Sequence, residues 1–145
     1  IVSPESIRDV YEEGIVLKHC IHTCDIYFQR MDIRETYLLF LRRTDKPDVP
    51  WYTLEIEPGG NIRQKKSVLN EAYKDLDNAM PFLKKWQQWV KKNLSAKDKK
   101  LAEKSDKARK DGYKQLREEK KLIWHGRLQG TLLADALEND FMEVV

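Results

Sequence analysis

The segment Trp51–Ser67, "WYTLEIEPGGNIRQKKS", constrains the fold more than any other part of the chain. Tyr52, Leu54 and Ile56 alternate with Trp51, Thr53, Glu55 and Glu57. That period of two places successive side chains on opposite faces of a strand. Pro58-Gly59-Gly60-Asn61 follows as a turn and Ile62–Ser67 as a returning strand, so the stretch predicts an antiparallel hairpin. Upstream, Thr36–Arg43, "TYLLFLRR", reads as a largely buried strand, divided from the hairpin by the prolines and aspartates of Asp45–Pro50. Together they predict a three-stranded antiparallel meander.

Helical signals flank the meander. Ser3-Pro4-Glu5 reads as N-cap, first-turn proline and acid, with Gly14 as the stop. Leu17–Tyr27 is ambiguous between strand and helix. From about Asn78 the spacing of Met80, Leu83, Trp86, Trp89 and Val90 predicts one apolar helical stripe. Ala96–Trp124 is a lysine-rich helical tract with sparse apolar positions, interrupted at Gly112, and a short helix runs through Leu132, Leu133, Ala136 and Leu137. The fold class is α+β: a small meander packed against helices, followed by a lysine-rich C-terminal helical region. Residues 1–90 form the body; residues 91–145, the basic arm and last helix, are expected to pack on the same domain.

Charge is unevenly placed. The 145 residues carry a net charge of +3, yet Lys91–Arg127 holds 14 Lys and Arg against 6 Asp and Glu, leaving 13 against 18 elsewhere. A mildly acidic body therefore carries a basic arm. No apolar run approaches the roughly 20 residues of a membrane span, and no signal peptide opens the chain. A cytoplasmic protein without membrane contact is expected. The first residue is Ile rather than Met, which is compatible with a piece of something longer.

The densest chemistry is "LKHCIHTC", which places His19, Cys20, His22 and Cys24 within six residues. Tetrahedral zinc normally takes two ligand pairs separated by a loop. Here at most three ligands can converge from one segment, with no second pair to close the site. No metal or cofactor is expected, and Cys20 and Cys24 are read as small buried hydrophobes. There is no Gly-rich phosphate loop, nucleophile elbow or nearby acid pair suited to two metals.

"EGIVLKHCIHTC", "YLLFLRR", "PWYTLEIEPGGNIRQKKSVLN" and "FLKKW" resemble the PcfJ-like family, a domain of conjugative-plasmid and phage proteins. The resemblance covers roughly residues 14–86. It implies a His-Cys-Val/Ile segment followed shortly by tyrosine, a strand ending in arginine, a Thr-x-Glu strand and a Gln-x-Arg-Gly-x-x-Asn segment. His19, Cys20, Ile21, Arg42 or Arg43, Thr53, Glu55, Gln64 and Asn70 match in order. Cys24 stands where tyrosine is expected, Lys66 replaces the arginine and Ser67 the glycine; if that last position needs φ > 0, Ser67 is a strained or rebuilt turn. The resemblance implies a mobile-element context and names no reaction.

Two functional classes follow. In one, the body is a scaffold, and Lys107, Arg109, Lys110, Lys114, Arg117 and Lys121 form a surface for nucleic acid, a nucleoprotein complex or another mobile-element protein. In the other, His19, Arg42, Glu55, Gln64 and Asn70 converge as the site of a small nucleic-acid-processing enzyme. A minor third reading is an inhibitor of a host nucleoprotein. An open cleft joining His19 to Glu55 favours the enzyme, and burial of both favours the scaffold.

Overall fold

The computed structural model describes residues 1–145. Its strands, β1 (Tyr37–Leu41), β2 (Tyr52–Ile56) and β3 (Ile62–Lys66), lie in the order β1-β2-β3 with both pairings antiparallel. Each strand stops a residue or two short of the sequence-based bounds. The register sets Leu38 opposite Glu55, Phe40 opposite Thr53, and Gln64 opposite Glu55 on the far side. A bulge between Glu55 and Ile56 in this ladder leaves Arg63 as the extra residue of β3. Strict alternation would aim Arg63 away from Glu55; the bulge re-aims it toward Glu57.

Both faces of the sheet are covered, and every residue of β2 is buried. On one face Tyr52, Leu54, Ile56 and Ile62 pack with Leu83 of α3 (Met80–Lys92), Leu76, Ala79 and Met142. On the other, Leu38 and Phe40 meet Val10 of α1 (Ile7–Leu17), Ile21, and Tyr27 of α2 (Asp25–Asp32). The long helix α4 (Ala96–Glu118) and the short α5 (Leu133–Asp140) complete the α+β architecture. None of the helices is long and apolar enough to cross a membrane.

The amino-terminal helix departs from the sequence-based reading. Its N-cap is Ser6, not Ser3, and the Asp9 carboxylate accepts from the backbone N–H groups of Glu5 and Ser6. Ser3-Pro4 does not begin the helix because Val2 bridges Phe40 at the open edge of β1. Gly14 does not stop α1 either; it lies inside the helix, where a Cβ would overlap the His22 imidazole. The helix ends at Lys18, whose φ of 54° is left-handed. The ambiguous Leu17–Tyr27 stretch is the end of α1, a tight turn at Ile21–Thr23 and the start of α2.

Two further expectations fail on helical geometry. Trp89 is 63% exposed, because it sits about 200° round the helix from the inward position 87. Gln87 is buried there, donating to the backbone carbonyls of Gly60 (3.0 Å) and Met142 (2.9 Å). Gly112 does not interrupt the lysine-rich helix, which runs on to Glu118 and stops before Trp124. The C-terminal segment joins the sheet: Ile62 and Met142 exchange backbone hydrogen bonds of 2.9 and 2.8 Å.

Candidate functional site

Glu55 is the centre of the polar layer beneath α1 and α2. It is fully buried, and its Oε1 accepts from Arg30 Nη1 at 2.8 Å and Thr36 Oγ1 at 3.0 Å. Its Oε2 accepts from Gln64 Nε2 at 3.1 Å, and Gln64 Oε1 accepts from the Tyr27 hydroxyl at 2.9 Å. Burial, with the Glu55 charge adding, pushes the Tyr27 hydroxyl above its ordinary range, so it remains a donor. The carboxylate has three donors and no water-facing side. Such an enclosed, fully partnered group ties α2 to the sheet.

His19 lies on the same face but contacts Thr53, not Glu55. Its Nε2 shares a 2.8 Å hydrogen bond with Thr53 Oγ1 inside the protein. Burial lowers its pKa to about 4. The His19 and His22 rings lie 6.3 Å apart, and Nδ1 of each is buried without a partner. The cysteines correct the sequence-based reading. Cys20 is exposed and Cys24 half-buried, because the turn at 21–23 sends Ile21 into the core between them. Desolvation of its sulfur, and then the Cys24 thiol beside it, push the Cys20 thiol up, which disfavours the nucleophilic thiolate. No three His, Cys, Asp or Glu side chains are grouped so as to hold a metal ion.

The remaining members of the proposed catalytic set sit elsewhere. Arg42 makes a bidentate pair with Glu13 of α1, both bonds 2.6 Å, rather than reaching Glu55. Burial raises the Glu13 carboxyl, with Arg42 opposing the rise. Arg43 points outward to Asp45. Asn70 is exposed in a turn at Val68–Asn70. Ser67 is unstrained at φ −115°, and its hydroxyl donates to Trp51 O; the left-handed residues there are Leu69 and Asn70. Only Glu55 and Gln64 of the five touch. Arginine reaches Glu55 from α2, as Arg30, because Arg42 has passed the end of the β1–β2 pairing.

A family model described as PcfJ-like protein matches residues 1–80, more than half of the chain. The chain belongs to the PcfJ-like family. No curated protein and no solved structure matches it.

The PcfJ-like match thus contains α1, α2, the sheet and the Glu55 network, but it ends before the residues that complete a second buried network. Glu57 accepts from Arg63 Nε at 2.7 Å and Asn61 Nδ2 at 2.9 Å. Arg63 also binds Glu35 at 2.8 Å and the Ser105 carbonyl at 3.0 Å. Arg109 of α4 closes the group by pairing with Glu57 and with Asp106. Its guanidinium lies 4.1 Å from the Phe141 ring centroid. The only sequence hint was Arg109 on the helix side shared by Leu101, Ser105 and Leu116, where an apolar residue would be usual.

This placement removes Arg109 from the expected binding surface of the PcfJ-like chain: it is 6% exposed. Arg117 is tied to Asp135 and Glu138 of α5 at 2.7 and 2.8 Å. Lys107 pairs with Asp111, and Lys110 with Asp106, at the exposed surface. Lys114 and Lys121 are exposed and have no ion-pair partner. So do Lys100 and Lys104, which lie with Lys107 and Lys114 on the side of α4 opposite Ser105 and Arg109.

Proposed function

We propose that this chain is a non-catalytic accessory module of a mobile genetic element, plasmid or phage, which binds nucleic acid in the cytoplasm through the outer face of α4. The observation that carries the reading is the set of unpaired lysines at 100, 104 and 114 on that face, with Lys107 between them. Their spacing of four, three and seven residues keeps them on one side of a helix. The three free ammonium groups, with Lys107 tied to Asp111 among them, suit a phosphate backbone, which releases counterions on contact and is bound without sequence readout. The scaffold half of the reading is supported by the burial of His19 and Glu55 and by their lack of mutual contact. The mobile-element context is what membership of the family suggests.

Affinity for labelled duplex DNA, followed by anisotropy against salt, tests the reading. The slope of log K on log salt is about −0.9 per neutralised phosphate, so three contacts predict a loss of about 40-fold between roughly 50 and 200 mM. Changing Lys100, Lys104 and Lys114 together to Glu should abolish binding and leave the melting temperature within a few degrees. No binding by the unaltered protein at low salt would refute the proposal.

A further inference from the structure

The chain after α4 forms a small pinned loop with an idle aromatic ring near its neck. Leu122 and Leu132 form an antiparallel bridge, Ile123 N donates to Thr131 O at 3.0 Å, and Gly130 N donates to Ile123 O at 2.9 Å. Gly126 and Gly130, at φ 88° and 84°, make the left-handed turns that this path requires. The Thr131 hydroxyl donates to Leu128 O at 2.7 Å. An ordered loop normally buries its large side chain. Trp124 is instead 85% exposed, so its ring contributes little to the fold and presents a free aromatic surface.

Beside the ring lies a groove of about 600 Å³, lined by Lys120, Lys121, Ile123, Trp124, Gln129 and Gly130 among others. Lys120 has φ 52°, a left-handed turn that ends α4 at the groove. Neither Lys120 nor Lys121 has an ion-pair partner, and the one carboxylate of the lining, Glu119, accepts from Gln115 one helical turn back at 3.0 Å. Arg127, at the loop tip, reaches only Glu71, at 3.7 Å. The groove therefore offers a flat π-surface flanked by two lysines against the single Glu119 carboxylate, a net positive lining whose chemical complement is an unstacked base between phosphates.

We propose that this groove docks a single-stranded polynucleotide, with a base stacked on Trp124 and neighbouring phosphates at Lys120 and Lys121. A duplex keeps its bases stacked inside and unstacking them costs free energy, so a lone exposed ring favours a single strand. Stacking is indifferent to base identity, because every base has a π-face. The inference rests on the reading of the chain as a nucleic-acid binder and adds a second contact that selects single strands.

The test compares the full chain with its Trp124→Ala and Trp124→Phe variants, using labelled oligo(dT), oligo(rU) and a duplex of equal length. Trp124→Ala should weaken both single strands by on the order of tenfold, with duplex affinity and melting temperature unchanged. Trp124→Phe should retain most of the single-strand affinity. Equal loss for single strand and duplex, or no loss from Trp124→Ala while the lysine variant of α4 fails to bind, overturns this inference and leaves the lysine face standing. An unaltered protein that binds none of the probes overturns both.

Discussion

His19 is held neutral in the fold, and that has a definite pH signature. Its pKa falls from 6.5 to about 4 on burial, so between those values the unfolded chain binds a proton that the folded chain refuses. The stabilisation is complete above pH 6.5 and drains away as pH falls toward about 4. At most about 3 kcal/mol is lost over that window. Urea titrations from pH 7 to 4 should show the decline, and His19→Gln should flatten it while keeping a hydrogen-bonding group near Thr53. At Glu55 the prediction concerns partners. Glu55→Ala strands Arg30, Thr36 and Gln64 around an empty pocket and should cost about 3–5 kcal/mol, read from the urea midpoint. A cost below about 1 kcal/mol would mean that the carboxylate is not the hub of this layer.

Gly14 sets the relation between α1 and the turn that follows it. In an exposed helix, Gly→Ala stabilises by about 1 kcal/mol. Here the added methyl would occupy the space of the His22 ring, and displacing that ring from the packed segment should destabilise by about 1–3 kcal/mol instead. Combining Gly14→Ala with His22→Ala removes the clash, so the double variant should recover stability relative to Gly14→Ala alone; melting curves of the three proteins decide it. The strands were readable because alternation in "WYTLEIE" and the Pro-Gly-Gly-Asn turn are local signals. Gly14 was misread for the opposite reason: its role depends on an imidazole eight residues away, and a glycine reads locally as a stop.

Across the whole molecule, buried ion pairs and hydrogen bonds join the family-matched residues to the helix beyond them. Arg63 and Glu57 have their remaining partners in Ser105 and Arg109. Arg109→Ala should therefore destabilise by about 3 kcal/mol, since Glu57 keeps Arg63 but loses one buried cation. Lys104→Ala, at the exposed face, should fall within about 0.5 kcal/mol. A chain ending at residue 92 loses Arg109, Asp140 and Met142 and leaves the edge of β3 unpaired at Ile62. It should lose cooperative unfolding and near-ultraviolet circular dichroism. A fragment that melts like the full chain would make α4 and α5 mere appendages.

The sequence by itself determined the α+β class, the meander and its connections, and the helical character of the basic tract, though not its unbroken run through Gly112. Each rests on periodicity or turn chemistry carried by neighbouring residues. It also put Glu55 and Gln64 in one polar set, and of that set of five only these two touch. Only the tertiary structure decided which charges meet. Arg30 rather than Arg42 reaches Glu55, Arg42 goes to Glu13, and Arg109 leaves the basic surface for Glu57. A charged residue looks the same in sequence whether it is solvated or paired. Burial makes the difference, and burial depends on which elements stack across the sheet and on a single bulge that turns Arg63 toward them.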